Sequence, residues 1–231
     1  MAGCRGGGVG LGKQYEYEEE VYLALDGQAT VIVNASIPAL VALHGLEADV
    51  DPAARVDRES IRAFYESEVT RVTRVSRPWR RQGRRFVQIR VEVADIRRAH
   101  LAPPFAWSTY SLGEEDGLAV FRQRIAVPER RALEGVGWGG AELVAVRLHL
   151  PAKIQYHNAP SKTIERGNIL VWEQSLAERR AGVPLDIDVK MQRQTILYTT
   201  LIVFGIAVGA ALVLLGLVVM WVRRRGRAVR E

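Results

Sequence analysis

The hydrophobic pattern of this chain has two regimes. Residues 195–222 carry no charge, and Arg223-Arg224-Arg225 follow at once. An apolar run longer than about 20 residues spans the roughly 30 Å hydrocarbon core of a bilayer as a helix, so a transmembrane helix is predicted there. Tyr198 and Trp221 fall near its ends, where amphipathic rings favour the headgroup zone. Before residue 190 the apolar positions recur mostly with period two, broken by short stretches of helical spacing.

That earlier region resolves into hairpins. Residues 15–37 read as two strands joined at Asp26-Gly27, a two-residue turn signal. Pro38 opens a short helix through His44, with Ser36 as N-cap and Gly45 as its stop, and Asp57 caps a second helix over 58–66 that carries Ile61, Phe64 and Tyr65 on one face. A second hairpin turns at Gln82-Gly83, and Val87, Ile89, Val91 and Val93 mark its buried face by strict alternation. A helical turn is expected over 95–100, strands over 106–112 and 118–127 around a loop at 113–117, and further strands near 153–157, 168–173 and 184–189. Residues 142–150 fit helix and strand equally. No βαβ rhythm of longer helices appears, which argues against a parallel sheet. The predicted class is α+β: a curved, mostly antiparallel sheet with two or three short helices, plus the C-terminal transmembrane helix. The expected organisation is a Gly-rich flexible N-terminus at 1–13, a domain at 14–190, the span at 195–222 and a basic tail at 223–231.

Charge sets the expected orientation. Arg223, Arg224, Arg225, Arg227 and Arg230 follow the span, opposed by Glu231, whereas Lys190 and Arg193 on the other flank stand near Asp186 and Asp188. Positive residues in short flanks stay cytoplasmic, which places the tail inside and residues 1–190 outside. Without the tail the net charge of +6 falls to about +2, so the basicity belongs partly to the anchor and is no argument for nucleic acid. The chain's basic residues are overwhelmingly arginine, as in bacteria with GC-rich genomes. Cys4 is the sole cysteine, which excludes an intramolecular disulfide. Met1-Ala2-Gly3-Cys4 matches the end of a bacterial lipobox, which would make Cys4 a lipidation site, although no charged or apolar signal region precedes it. The other reading is a chance triplet in a flexible terminus.

Several motifs then suggest a relationship. Leu150-Pro151-Ala152-Lys153-Ile154, His157-Asn158-Ala159, Gly167-Asn168 and Trp172-Glu173 precede a strand that runs into the membrane segment. With the opening Y-x-Y hairpin and Cys4, this series resembles LppM-type bacterial lipoprotein domains over residues 15–222. The resemblance implies an extracytoplasmic α+β domain at the cell surface, for which lipid or glycolipid binding is proposed. It implies no catalytic residue.

Candidate chemistry is sparse. Gly7 to Lys13 has P-loop spacing, but Gln14 stands where Ser or Thr would hold magnesium, and no strand precedes it. His44, His100, His149 and His157 lack metal-ligand spacing, Ser108, Ser111 and Ser161 lack a nucleophile-elbow context, and consecutive Glu18, Glu19 and Glu20 point to alternating faces. No cofactor, metal or enzymatic activity is expected. Arg71, Arg74, Arg77, Arg80, Arg81, Arg84 and Arg85 gather on the second hairpin around Trp79. They would contact anionic headgroups or a partner, or form a solvated tip paired to Glu16, Glu18, Glu20 or Glu66. Gly205 and Gly209 form G-x-x-x-G within the span, a pattern that permits helix dimerisation.

Two functions fit these features. In the first, a concave sheet lined by Trp107, Phe121, Val91 and Trp172 holds an apolar ligand, lipid or glycolipid. In the second, the core is filled and the domain is an interaction module. A cavity above roughly 300 Å³ favours the first and a dry core the second. A hydrolase would require a polar cleft gathering His, Asp and Ser.

Overall fold

The computed structural model describes residues 13, 15–126 and 137–228, with Cys4 and the tail end outside them. Eleven strands form two sheets. The first has the order β10-β8-β1-β2-β5-β3, from β1 (Tyr15–Leu23), β2 (Ala29–Ser36), β3 (Thr70–Val75), β5 (Arg84–Val93), β8 (Leu143–His149) and β10 (Ile169–Ser175), with β4 (Trp79–Arg81) also paired to β5. The second has the order β6-β7-β11-β9, from β6 (Ser108–Glu115), β7 (Leu118–Ile125), β9 (Ala152–His157) and β11 (Leu185–Thr195). Helices α1 (Ile37–His44), α2 (Arg58–Tyr65) and α3 (Leu176–Arg180) pack beside them, and α4 (Ile196–Ala228) follows β11 directly.

Local chemistry explains most boundaries. The Ser36 hydroxyl accepts from the Ala39 amide to start α1, and Gly45 ends it in the left-handed region at φ 72°. The Asp57 carboxylate caps α2 through the amides of Glu59 and Ser60. Gln82 and Gly83 both take positive φ, which matches the twist of the flanking strands in a two-residue hairpin. Asp116 and Gly117 do the same, so the ladder continues through Gly113, Glu114 and Glu115, where a loop was expected. The short helix α3 was not anticipated from the sequence; a Ser175–Glu178 capping box builds it.

Two differences concern topology. Segment 142–150 is strand β8, and it pairs with β1 in parallel, from Tyr15 opposite Leu143 to Tyr22 opposite His149. Every other strand pairing among the described residues is antiparallel. The expected single sheet is instead two, and one of the passages between them, from β8 to β9, falls at Leu150-Pro151. Proline has no amide hydrogen to continue the β8 ladder. Asn168, at φ 62°, clamps the crossing by donating from Nδ2 to the carbonyls of Leu150 (2.8 Å) and Ala152 (2.6 Å).

The inner faces of the two sheets close on one hydrophobic core. Tyr17, Val21, Val33, Val91, Val146 and Trp172 face Phe121, Ile125, Ile187 and Val189 within it. Strand directions also define two ends of the domain. Thr195 pairs with Ala152, and β8 ends just before Ala152, so the turn after β1 lies at the end where α4 begins. Gln82-Gly83, at the opposite end of β5, lies about 30 Å away at some 3.3 Å per strand residue.

Candidate functional site

At the seam between the sheets the core turns polar. Glu19 on β1 is fully buried. It accepts from the Tyr17 hydroxyl at 3.0 Å and from Gln123 Nε2 of β7 at 3.4 Å. Burial pushes its carboxyl up to about 7, against the partial relief of those two hydrogen bonds. Tyr65 of α2 and Tyr110 of β6 border the same carboxyl, and burial raises both phenols well above their ordinary value. Tyr65 OH, Trp107 Nε1 and Gln123 Oε1 are buried without a hydrogen-bond partner among the described residues.

A buried cation packs on the Trp107 ring of the same core. Arg179 of α3 is inaccessible to solvent. It donates to Gln174 Oε1 and to the Ala126 carbonyl, each at 2.9 Å, and its guanidinium lies 5.1 Å from the Trp107 ring centre. Burial brings its pKa down to about 10. His44 packs between Tyr17 (4.7 Å) and Trp107 (4.4 Å), and burial lowers its imidazole to about 3, so it stays neutral. The arrangement ties three helices and both sheets together. Glu19 has no exposed surface for a substrate to reach, and among the described residues no group of three His, Cys, Asp or Glu could hold a metal.

The four residues assigned to a ligand-lining face occupy the core. Phe121 and Val91 are 0% exposed and Trp172 1%. The Trp172 indole donates to Asn158 Oδ1 at 3.0 Å, and Trp107 is partly buried against the same core. A groove of about 740 Å³ runs over Tyr22, Thr30, Glu66, Arg71 and Glu92 at the helix-proximal end, and a pocket of about 250 Å³ lies under residues 46–57 against Ile37, Leu46, Val56, Ile61 and Arg85. None of the four lines either.

The arginine hairpin divides by role. Arg84 pairs with Glu16 (2.5 Å) and Glu142 (3.2 Å), and Arg71 with Glu92. Arg85 is buried and donates to the carbonyls of Ala54 and Asp49, which pins the 47–57 loop. Arg80 reaches the Pro52 carbonyl at 2.9 Å. Arg74, Arg77 and Arg81 are exposed, and Trp79, 40% exposed, stacks on Phe86. The sequence singles out Glu19 and His44 only as lacking acid/base and metal-ligand spacing, and does not single out Arg179. The parity of β1 already placed Glu19 on the face of Tyr17 and Val21, whereas nothing in the sequence marked Arg179.

Helix α4 includes Thr200–Met220, 21 residues of mean hydropathy 2.9 with none of that window buried against the domain. Gly205 and Gly209 lie in it with open space around their Cα atoms. The described chain is thus a two-sheet α+β domain bearing one C-terminal helix long and apolar enough to cross a membrane. No protein-family model matches it, and no curated protein matches it. Its fold is distantly similar to the folded domain of Mycobacterium tuberculosis LppM, solved by NMR, at TM-score 0.43 and 13% identity, over 81% of this chain and 95% of that one.

Proposed function

We propose that the protein is a single-pass bacterial envelope protein whose domain lies outside the cytoplasm and acts, without catalysis, as a recognition module through its outer surface. The observation that carries this reading is the filled core: Val91, Phe121 and Trp172, the residues of a would-be ligand cavity, are inaccessible and packed on one another's cluster. The uncharged span followed by five arginines supports the anchor and its orientation. The open faces around Gly205 and Gly209 support helix pairing into a homodimer.

A second reading is a lipid or glycolipid ligand, favoured by the pocket beneath residues 46–57, with apolar walls and Arg85 at one side. Native mass spectrometry of the full-length protein released from detergent separates the two. An apo mass, with no uptake of added lipid, is expected. A stoichiometric lipid, lost when Leu46 or Val56 is enlarged to Phe, would replace the surface reading with the carrier reading.

A further inference from the structure

Register pairs on the ribbon of β3, β4 and β5 are unusual. Arg74 lies directly opposite Arg90, Arg80 opposite Arg85, and Arg81 opposite Arg84. Like charges opposite one another on adjacent strands are destabilising; Glu16 and Glu142 offset this at Arg84, and loop carbonyls hold Arg80 and Arg85, whereas Arg74 opposite Arg90 has no such offset among the described residues. Strand alternation sends Arg81, Arg84, Trp79, Phe86, Arg74 and Arg90 to the same outer face of the sheet, away from the core carried by Val87, Ile89 and Val91. Arg74, Arg81 and Arg90 are exposed, and none has a carboxylate within salt-bridge distance among the described residues. Arg84 is held by Glu16 and Glu142. The strip therefore reads guanidinium, indole, guanidinium over about 20 Å from Arg84 to Arg90, with the Trp79 ring propped flat on Phe86 at 23°.

We propose that this strip binds a linear anionic polysaccharide, a chain of sugar rings bearing carboxylate or phosphate groups. The inference rests on the surface-recognition reading above and names its partner class. Guanidinium forks take such anions bidentately. An exposed tryptophan face accepts the apolar face of a sugar ring, which pure charge recognition does not require. The narrow strip along β5 suits an extended chain better than a folded acidic domain. The tip of the strip lies at the end of the domain opposite α4, so it points away from the bilayer that α4 enters and is poorly placed for that bilayer's own headgroups.

The test is calorimetric titration of the full-length protein in nonionic detergent with oligogalacturonate, a pyranose chain bearing one carboxylate per ring. Neutral dextran and poly-glutamate serve as comparisons. Oligogalacturonate is expected to bind, more weakly as salt rises, and dextran not to bind. Trp79→Leu and the double change Arg74→Gln with Arg90→Gln should each weaken binding at least tenfold, while Arg122→Gln on the other sheet leaves it unchanged. The double variant should also melt at or above the parent temperature, because it removes a repulsive pair; a merely structural role predicts the reverse. Absence of binding, or poly-glutamate binding as tightly with no effect of Trp79→Leu, would overturn the proposal. Either result with a lipid-free mass would leave the surface-recognition reading in place and remove only this partner class.

Discussion

Glu19 shows how a single buried group couples the fold to pH. Its folded carboxyl holds a proton up to about pH 7, whereas an unfolded chain releases it near the ordinary value of 4.5. Between those values the folded state binds the extra proton, so stability falls as pH rises through the window and stays low above it. The gap corresponds to about 3 kcal/mol. Glu19→Gln keeps the shape and the hydrogen-bond capacity but does not titrate. The variant is therefore expected to gain on the parent from pH 5 to pH 8, by up to about 3 kcal/mol. Urea unfolding of both proteins at the two pH values checks this, and parallel profiles would show that Glu19 does not titrate as described. Parity along β1 made the burial of Glu19 readable from the sequence. The burial of Arg179 was not, because its acceptors, Gln174 and the Ala126 carbonyl, come from segments 5 and 53 residues away.

Among the elements, those closed by local chemistry were legible: the Ser36 and Asp57 caps, the stop at Gly45 and the turn at Gln82-Gly83 all sit where short-range propensity places them. Strand β8 was not, since the short apolar run Leu143–Val146 suits either a helix or a strand and only Arg147 and His149 hint at alternation. Its parallel neighbour β1 decides the matter, more than 120 residues away in sequence. The β8–β9 crossing between the sheets is held by Asn168, which combines a left-handed backbone with two hydrogen bonds across it. Asn168→Ala loses both bonds and strains the backbone, at about 2–3 kcal/mol. Asn168→Gly restores the conformation and should cost about 1 kcal/mol less. Equal losses in chemical denaturation would argue that the backbone conformation at 168 matters little.

For the whole molecule, the proposed orientation makes a direct prediction. A fluorescent reporter fused after Glu231 should be active in the cytoplasm, and a phosphatase fused there inactive. Changing Arg223, Arg224 and Arg225 to Glu should weaken that bias, since positive flanking charge sets it. An active phosphatase on the unaltered tail would reverse the topology. The membrane segment, the α+β class and the hairpins were determined by the sequence itself, because each depends on contiguous apolar length, period-two alternation or turn residues within a few positions. The tertiary structure alone decided the rest. It split the expected sheet in two, filled the space between Phe121, Val91 and Trp172, set arginine opposite arginine on one ribbon, brought Gln123 of the other sheet to Glu19, and buried Arg179. These outcomes depend on register and on sheet-to-sheet packing between distant segments, and no local pattern encodes which strand a given residue will face.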